Sequence, residues 1–176
     1  MNKLLIIFFI PFIIISQNNR GYIVSVEDEA PHFNINLDGE EFFDLSNETG
    51  KVIMLQFTAS WCSVCIKEMP YIEEEIWQKH KNNEEFILIG LAKDTEKRNQ
   101  RDKEIELLIK QTGVTYPIIS DYNSKIFNLF ADEKAGVTRN IIIDQNGKIA
   151  FLTRLFEKEE FNDMKNIINK LLEKKY

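Results

Sequence analysis

Two apolar runs with a helical stretch between them constrain this chain more than any other feature. "KVIMLQF" (51–57) and "FILIGLA" (86–92) are almost continuously apolar, where a half-exposed strand would alternate. Strands covered on both faces read this way, as in a mostly parallel central sheet. Between them Ile66, Met69, Ile72 and Ile76 recur at helical spacing, and the polar "KHKNNEE" (79–85) leads out. The segment reads as a βαβ unit with a right-handed crossover.

The flanking segments extend that unit. "FNINLDGEEFFDL" (33–45) alternates Phe33, Ile35 and Leu37 before Asp38-Gly39, an antiparallel hairpin ahead of the core. A helix is expected over 97–111, ending at Gly113. A short extended segment follows at "YPIISD" (116–121), then a small helix around 124–131. "NIIIDQNGKIAFLTRLF" (140–156) is strand, Asn146-Gly147 turn and strand. In the last helix Phe161, Met164, Ile168 and Leu171 form one stripe. Glu159 and Glu160 stand at its start and Lys170, Lys174 and Lys175 at its end, which suits the helix dipole. The expected fold is α/β: a central mixed sheet flanked by helices, with an N-terminal β-hairpin extension.

The first twenty residues read as a separate segment. "MNK" precedes "LLIIFFIPFIII" (4–15), twelve apolar residues, short for a bilayer span and right for the apolar part of a signal peptide. Residues 1–20 are expected to be a signal peptide or an N-terminal anchor, and 21–176 one domain. Either reading puts the domain in the periplasm or otherwise outside the cytoplasm, where disulfides persist. A net charge of −6, with Lys and Arg scattered among acids as in "EKRNQRDKEIE" (96–106), offers no basic stripe for nucleic acid. That stretch reads as a solvated helix face.

The chain has two cysteines, Cys62 and Cys65, three positions apart in "FTASWCSVCIKEMP" (57–70). As a staple the pair would stabilise by about 1.9 kcal/mol on loop entropy, too little to explain it in a domain of this size. As a zinc site it lacks a second cysteine pair, and His32 and His80 read as surface residues. No metal and no cofactor is expected. A redox couple has a mechanism at each position. Cys62 follows a buried strand and opens a helix, where free N–H groups and the dipole favour a thiolate. Cys65 lies one turn on, on the same face. Trp61 reads as a wall of the site or as core.

From about Ala30 onward the chain resembles the thioredoxin-like superfamily, in particular exported TlpA/ResA-type thiol–disulfide oxidoreductases bordering the AhpC/TSA group. The matching pieces are "APHF" (30–33), "GKVIMLQFTASWCSVCIKEMP" (50–70), "GVTYPIISD" (113–121) and "IIIDQNGKI" (141–149). The family's C-x-x-E-x-P tail falls on Cys65, Glu68 and Pro70, where the proline would bend the active-site helix. The resemblance implies Cys62 and Cys65 as catalytic, with Trp61, Val137 and Thr138 facing substrate. It also implies an acid near the cysteines. Glu68 and Asp94 are the candidates, each also readable as a surface charge. The chain departs from the family where a cis-proline should face the cysteines, because Thr138 stands there. A non-proline cis bond costs about 2.5–4 kcal/mol, so a trans peptide is expected at Val137–Thr138.

The resemblance implies disulfide exchange with protein thiols and disulfides, as a reductant supplied by a membrane thiol carrier. The alternative is a peroxiredoxin-like peroxidase using Cys65. Arg139 would fit that role, although it also reads as an exposed pairing residue. A third reading is an exported binding domain whose cysteines stay joined.

Overall fold

The computed structural model describes residues 20–37 and 41–173. The apolar leader, the Asp38-Gly39 turn and the lysines at 174 and 175 lie outside the described residues. β1 (Asn34–Leu37) and β2 (Glu41–Asp44) pair antiparallel, Asn34 opposite Asp44, as the hairpin that precedes the core. Asp44 then caps a short turn at Leu45–Asn47, its carboxylate accepting from Ser46 N–H at 2.9 Å.

The core elements follow in order. They are β3 (Val52–Thr58), α1 (Ser63–Ile72), α2 (Gln78–His80), β4 (Phe86–Lys93), α3 (Asp102–Thr112), β5 (Ile118–Asp121), α4 (Phe127–Phe130), β6 (Arg139–Ile143), β7 (Ile149–Leu152) and α5 (Lys158–Glu173). The five-stranded sheet runs β5-β4-β3-β6-β7. β3, β4 and β5 are parallel, while β6 runs antiparallel to both its neighbours, so the sheet is mixed.

β3 is buried over its whole length, as its apolar run predicted, and its side chains alternate between two cores. Ile53, Leu55 and Phe57 face the layer that holds Phe127 and Phe130 of α4, the hairpin's Phe33 and Phe43, and both cysteines. Val52 and Met54 face the layer built from Met69 and Ile72 of α1, Leu108 of α3, and the stripe Phe161, Met164, Ile168 and Leu171 of α5.

One helix runs on past a proline, and another starts later than the sequence suggests. Pro70 sits inside α1 without ending it. It has no N–H to donate one turn back, and the helix carries on through a π-helical turn at Glu73–Trp77 into α2. α3 starts at Asp102 rather than 97, because Glu104 accepts from Arg101 N–H (3.1 Å) and Asp94 accepts from Gln100 N–H (2.7 Å). Those bonds hold the preceding residues as a loop, and Gln100 is buried rather than part of a solvated face.

Candidate active site

β3 ends at Thr58, and a tight turn, Cys62 N–H to Ala59 C=O at 3.0 Å, carries the chain into α1. Cys62 is the N-cap residue. Its backbone is extended, and its Sγ accepts the Cys65 N–H at 3.2 Å. A sulfur thus occupies the place where a cap oxygen normally meets an unpaired helix N–H. Cys62 and Cys65 are joined as a disulfide with their Cα atoms 5.3 Å apart. Cys62 keeps 8 % of its surface and Cys65 none, so both are buried and Cys62 is the nearer to solvent.

The turn ahead of the cysteines is held from the 94–101 loop. Gln100 accepts from Ser60 N–H (2.7 Å) and donates to Ser60 Oγ (3.0 Å). Trp61 is exposed beside the pair, with the Arg98 guanidinium 4.3 Å over its ring, so it is not core. Thr138 approaches from the turn ahead of β6. Its Oγ1 lies 3.2 Å from Sγ of both Cys62 and Cys65. Val137 is buried in the same cluster. The Val137–Thr138 peptide is trans.

Glu68 stands one turn beyond Cys65 and is buried, which corrects the surface-charge reading. Asn140 Nδ2 donates to its Oε1 at 2.7 Å, and Thr153 Oγ1 accepts from the same amide at 3.0 Å. Burial raises the Glu68 pKa and the Asn140 bond offsets only part of it, leaving it pushed up to about 8. Beside this pair in the same layer, Tyr116 Oη donates to Gln56 Oε1 at 2.7 Å, and Gln56 pairs in register with Asn140. Glu68 Oε2, Gln56 Nε2 and Asn140 Oδ1 are buried without a protein partner.

Asp94 is also buried, again against the surface reading, but it serves the loop. It accepts from the N–H groups of Gln100 and Asn123 and from Arg101 Nε. Burial alone would raise its pKa; these donors outweigh burial and hold it below the usual carboxylate range. The structure therefore gathers Cys62, Cys65, Thr138 and Val137, keeps Trp61 on the rim and Glu68 behind, and sets Asp94 to bracing the loop.

Arg139 is a further correction. It is buried rather than exposed, with Nε on Gly136 C=O (2.9 Å), Nη2 on Arg20 C=O (2.7 Å) and its guanidinium over the Tyr22 ring. His32 pairs with Asp44 and His80 with Asn169. Sequence reasoning missed Asn140, Gln56 and Gln100. The signal for the first two was a lone amide inside an apolar strand, where a buried polar side chain needs a partner.

A cysteine pair opening the helix after the central strand of such a sheet is the constellation of a thioredoxin-like thiol–disulfide oxidoreductase. The Redoxin family model matches residues 25–168, and the chain belongs to that family. The thiol–disulfide oxidoreductase ResA of Geobacillus thermodenitrificans is 30% identical over 139 residues, 78% of this chain and 74% of its own. A solution structure from Bacteroides thetaiotaomicron, with a provisional protein disulfide isomerase designation, is 47% identical at a TM-score of 0.80. It covers 88% of this chain and 94% of its own. StoA from Bacillus subtilis shares the fold at 19% identity and a TM-score of 0.60, covering 78% of this chain and 96% of its own.

Proposed function

We propose that the protein acts outside the cytoplasm on disulfides of other proteins, running as a reductant with Cys62 attacking and Cys65 resolving. The observation that carries the assignment of roles is the asymmetry of the two sulfurs. Cys62 combines a helix N–H on its sulfur with a small residual exposed surface, and Cys65 has none. The apolar run at 4–15 supports export, and the reducing direction rests on the resemblance to the ResA-type proteins. Among the described residues no helix is long and apolar enough to cross a membrane.

In the reduced protein the Cys62 thiolate attacks a partner's disulfide. That bond breaks, a Cys62–partner disulfide forms, and the partner's other sulfur leaves and takes up a proton. Cys65 then loses its proton and attacks Cys62 Sγ. The Cys62–Cys65 bond forms, and the partner's second sulfur leaves as a thiolate that is protonated. Two electrons pass to the partner, and a membrane thiol carrier is the proposed source that restores the dithiol. Glu68, one turn from Cys65 with its pKa near 8, is matched to an ordinary thiol and is the proposed acceptor of the Cys65 proton. Trp61 and Val137 are the proposed walls against which a substrate segment lies.

The test is insulin reduction driven by dithiothreitol, together with Cys65→Ser. Catalysed reduction and a mixed disulfide trapped on Cys62 support the reading. The absence of both would refute it. The peroxidase alternative finds little support at Arg139, whose Nε and Nη2 both donate to backbone carbonyls. Peroxide consumption that survives Cys62→Ser and fails in Cys65→Ser would restore it.

A further inference from the structure

Thr138 occupies a position from which one hydroxyl reaches two reacting atoms. Oγ1 is 3.2 Å from each cysteine sulfur, and the residue is almost fully buried. Its placement is fixed by the segment that follows β7. Thr138 C=O accepts the Leu155 N–H at 3.1 Å, and the next strand bond runs from Thr153 N–H to Asn140 C=O at 3.0 Å. The hydroxyl therefore keeps its place on a braced backbone while the sulfurs change state.

A threonine hydroxyl has one proton to donate and lone pairs to accept with. Against a disulfide it has little to choose between two equivalent, weakly accepting sulfurs. Against a dithiol the two contacts become unequal. Cys62 already holds the Cys65 N–H, so it ionises first. The hydroxyl then donates to the Cys62 thiolate and accepts from the Cys65 S–H. Once Cys62 is tied up in a mixed disulfide it carries no charge. The same proton is then free to turn to Cys65 as that thiol deprotonates.

We infer that Thr138 Oγ1 is a switchable hydrogen-bond donor that stabilises the Cys62 thiolate before attack and the Cys65 thiolate before resolution. This deepens the oxidoreductase reading and rests on it. The chemistry balances without any added reactant, because the hydroxyl turns its proton between two sulfurs and keeps it. A proline here would offer no such donor, so the substitution exchanges a rigid peptide for a hydrogen bond. Its consequence is a Cys62 thiolate ready to attack and a fast resolving step, at the cost of some reducing power, because stabilising the dithiol form weakens the couple as a reductant.

Thr138→Val removes the hydroxyl at nearly constant shape, and Thr138→Ser keeps it. Thr138→Ala serves if the valine variant is not folded. The readout is the pH profile of iodoacetamide alkylation at Cys62 in the reduced full chain, followed by equilibration with glutathione buffers. A hydrogen bond to a charged group contributes about 1.5–3 kcal/mol, so its loss is expected to raise the alkylation midpoint by about one pH unit or more in T138V. The dithiol–disulfide equilibrium should move about tenfold toward the disulfide, and T138S should restore both. A T138V or T138A profile that superimposes on the parent's, with the parent still reducing insulin, overturns the inference and leaves the enzyme assignment standing. A parent inactive on insulin removes the assignment, while the midpoint shift in the variants still reports on Thr138.

Discussion

Asn140 Nδ2 donates to Glu68 Oε1 across 2.7 Å, joining β6 to the active-site helix between two buried side chains. The bond is too little to keep the carboxylate comfortable there. Burial outweighs it, and the group titrates near 8 rather than near its ordinary value of 4.5. A carboxyl whose folded pKa is raised contributes no penalty while neutral. Stability is therefore full below the unfolded pKa and is lost as pH rises through the folded one.

The oxidised protein should accordingly lose stability between about pH 4.5 and pH 8, with its cysteines unable to titrate. Glu68→Gln should remove that loss and exceed the parent by on the order of 3–6 kcal/mol at pH 9, while matching it near pH 4. Urea unfolding of both proteins across that range checks it. Parallel pH profiles would contradict it. In the reduced protein the same substitution should slow resolution of a mixed disulfide, read by quenched-flow mass spectrometry.

Tyr116 and Gln56 should behave as a unit. The phenol donates to Gln56 Oε1 at 2.7 Å, both are buried, and Gln56 Nε2 has no protein partner. Tyr116→Phe leaves a buried carbonyl unmet, and Gln56→Leu strands a buried phenol. Each should cost about 1–3 kcal/mol, and the double variant less than the sum. A strictly additive double-mutant cycle by denaturant unfolding would show that the pair is not coupled.

Arg139 should be structural. With two carbonyls and the Tyr22 ring as partners, Arg139→Met should destabilise the fold by about 1.5–3 kcal/mol through the loss of two partly buried charged hydrogen bonds and the ring contact. The Cys62 alkylation midpoint should stay where it is. A moved midpoint with unchanged melting temperature would reassign this residue to the site.

Gly90 in β4 pairs with Ile118 at the start of β5, and its N–H donates to Pro117 C=O. A Cβ there would lie 2.9 Å from Ile118 Cγ1 and 3.3 Å from Pro117 C=O. Gly90→Ala should therefore destabilise by about 1–3 kcal/mol, where an unhindered strand would gain from alanine. Thermal unfolding distinguishes the two signs.

The strand–helix–strand unit was legible because an unbroken apolar run has few solutions other than a strand covered on both faces. The last helix was legible because Phe161, Met164, Ile168 and Leu171 keep one period and all face the core. The cysteine pair announced itself by spacing and by its place after such a strand. Glu68 and Asp94 were read too close to the surface because a carboxylate's burial is decided by partners elsewhere in the chain. For Glu68 the partner is Asn140, 72 positions away. The start of α3 failed for a different reason: residues 96–100, three of them charged, suit a helix by composition, and the bond from Gln100 N–H back to Asp94 keeps them out of one. Thr138 was visible as a missing proline, but its equal reach to two sulfurs belongs to the packing of the turn ahead of β6 against the start of α1.

The account stands on Cys62 being the ionised, reachable sulfur and Cys65 the sheltered one. Timed alkylation of the reduced protein at pH 6, with both sites read by mass spectrometry, tests this most directly. Cys62 should be modified at least tenfold faster than Cys65, with a midpoint well below the ordinary thiol value of about 8.5. Equal labelling of the two cysteines, or labelling of Cys65 first, would contradict it.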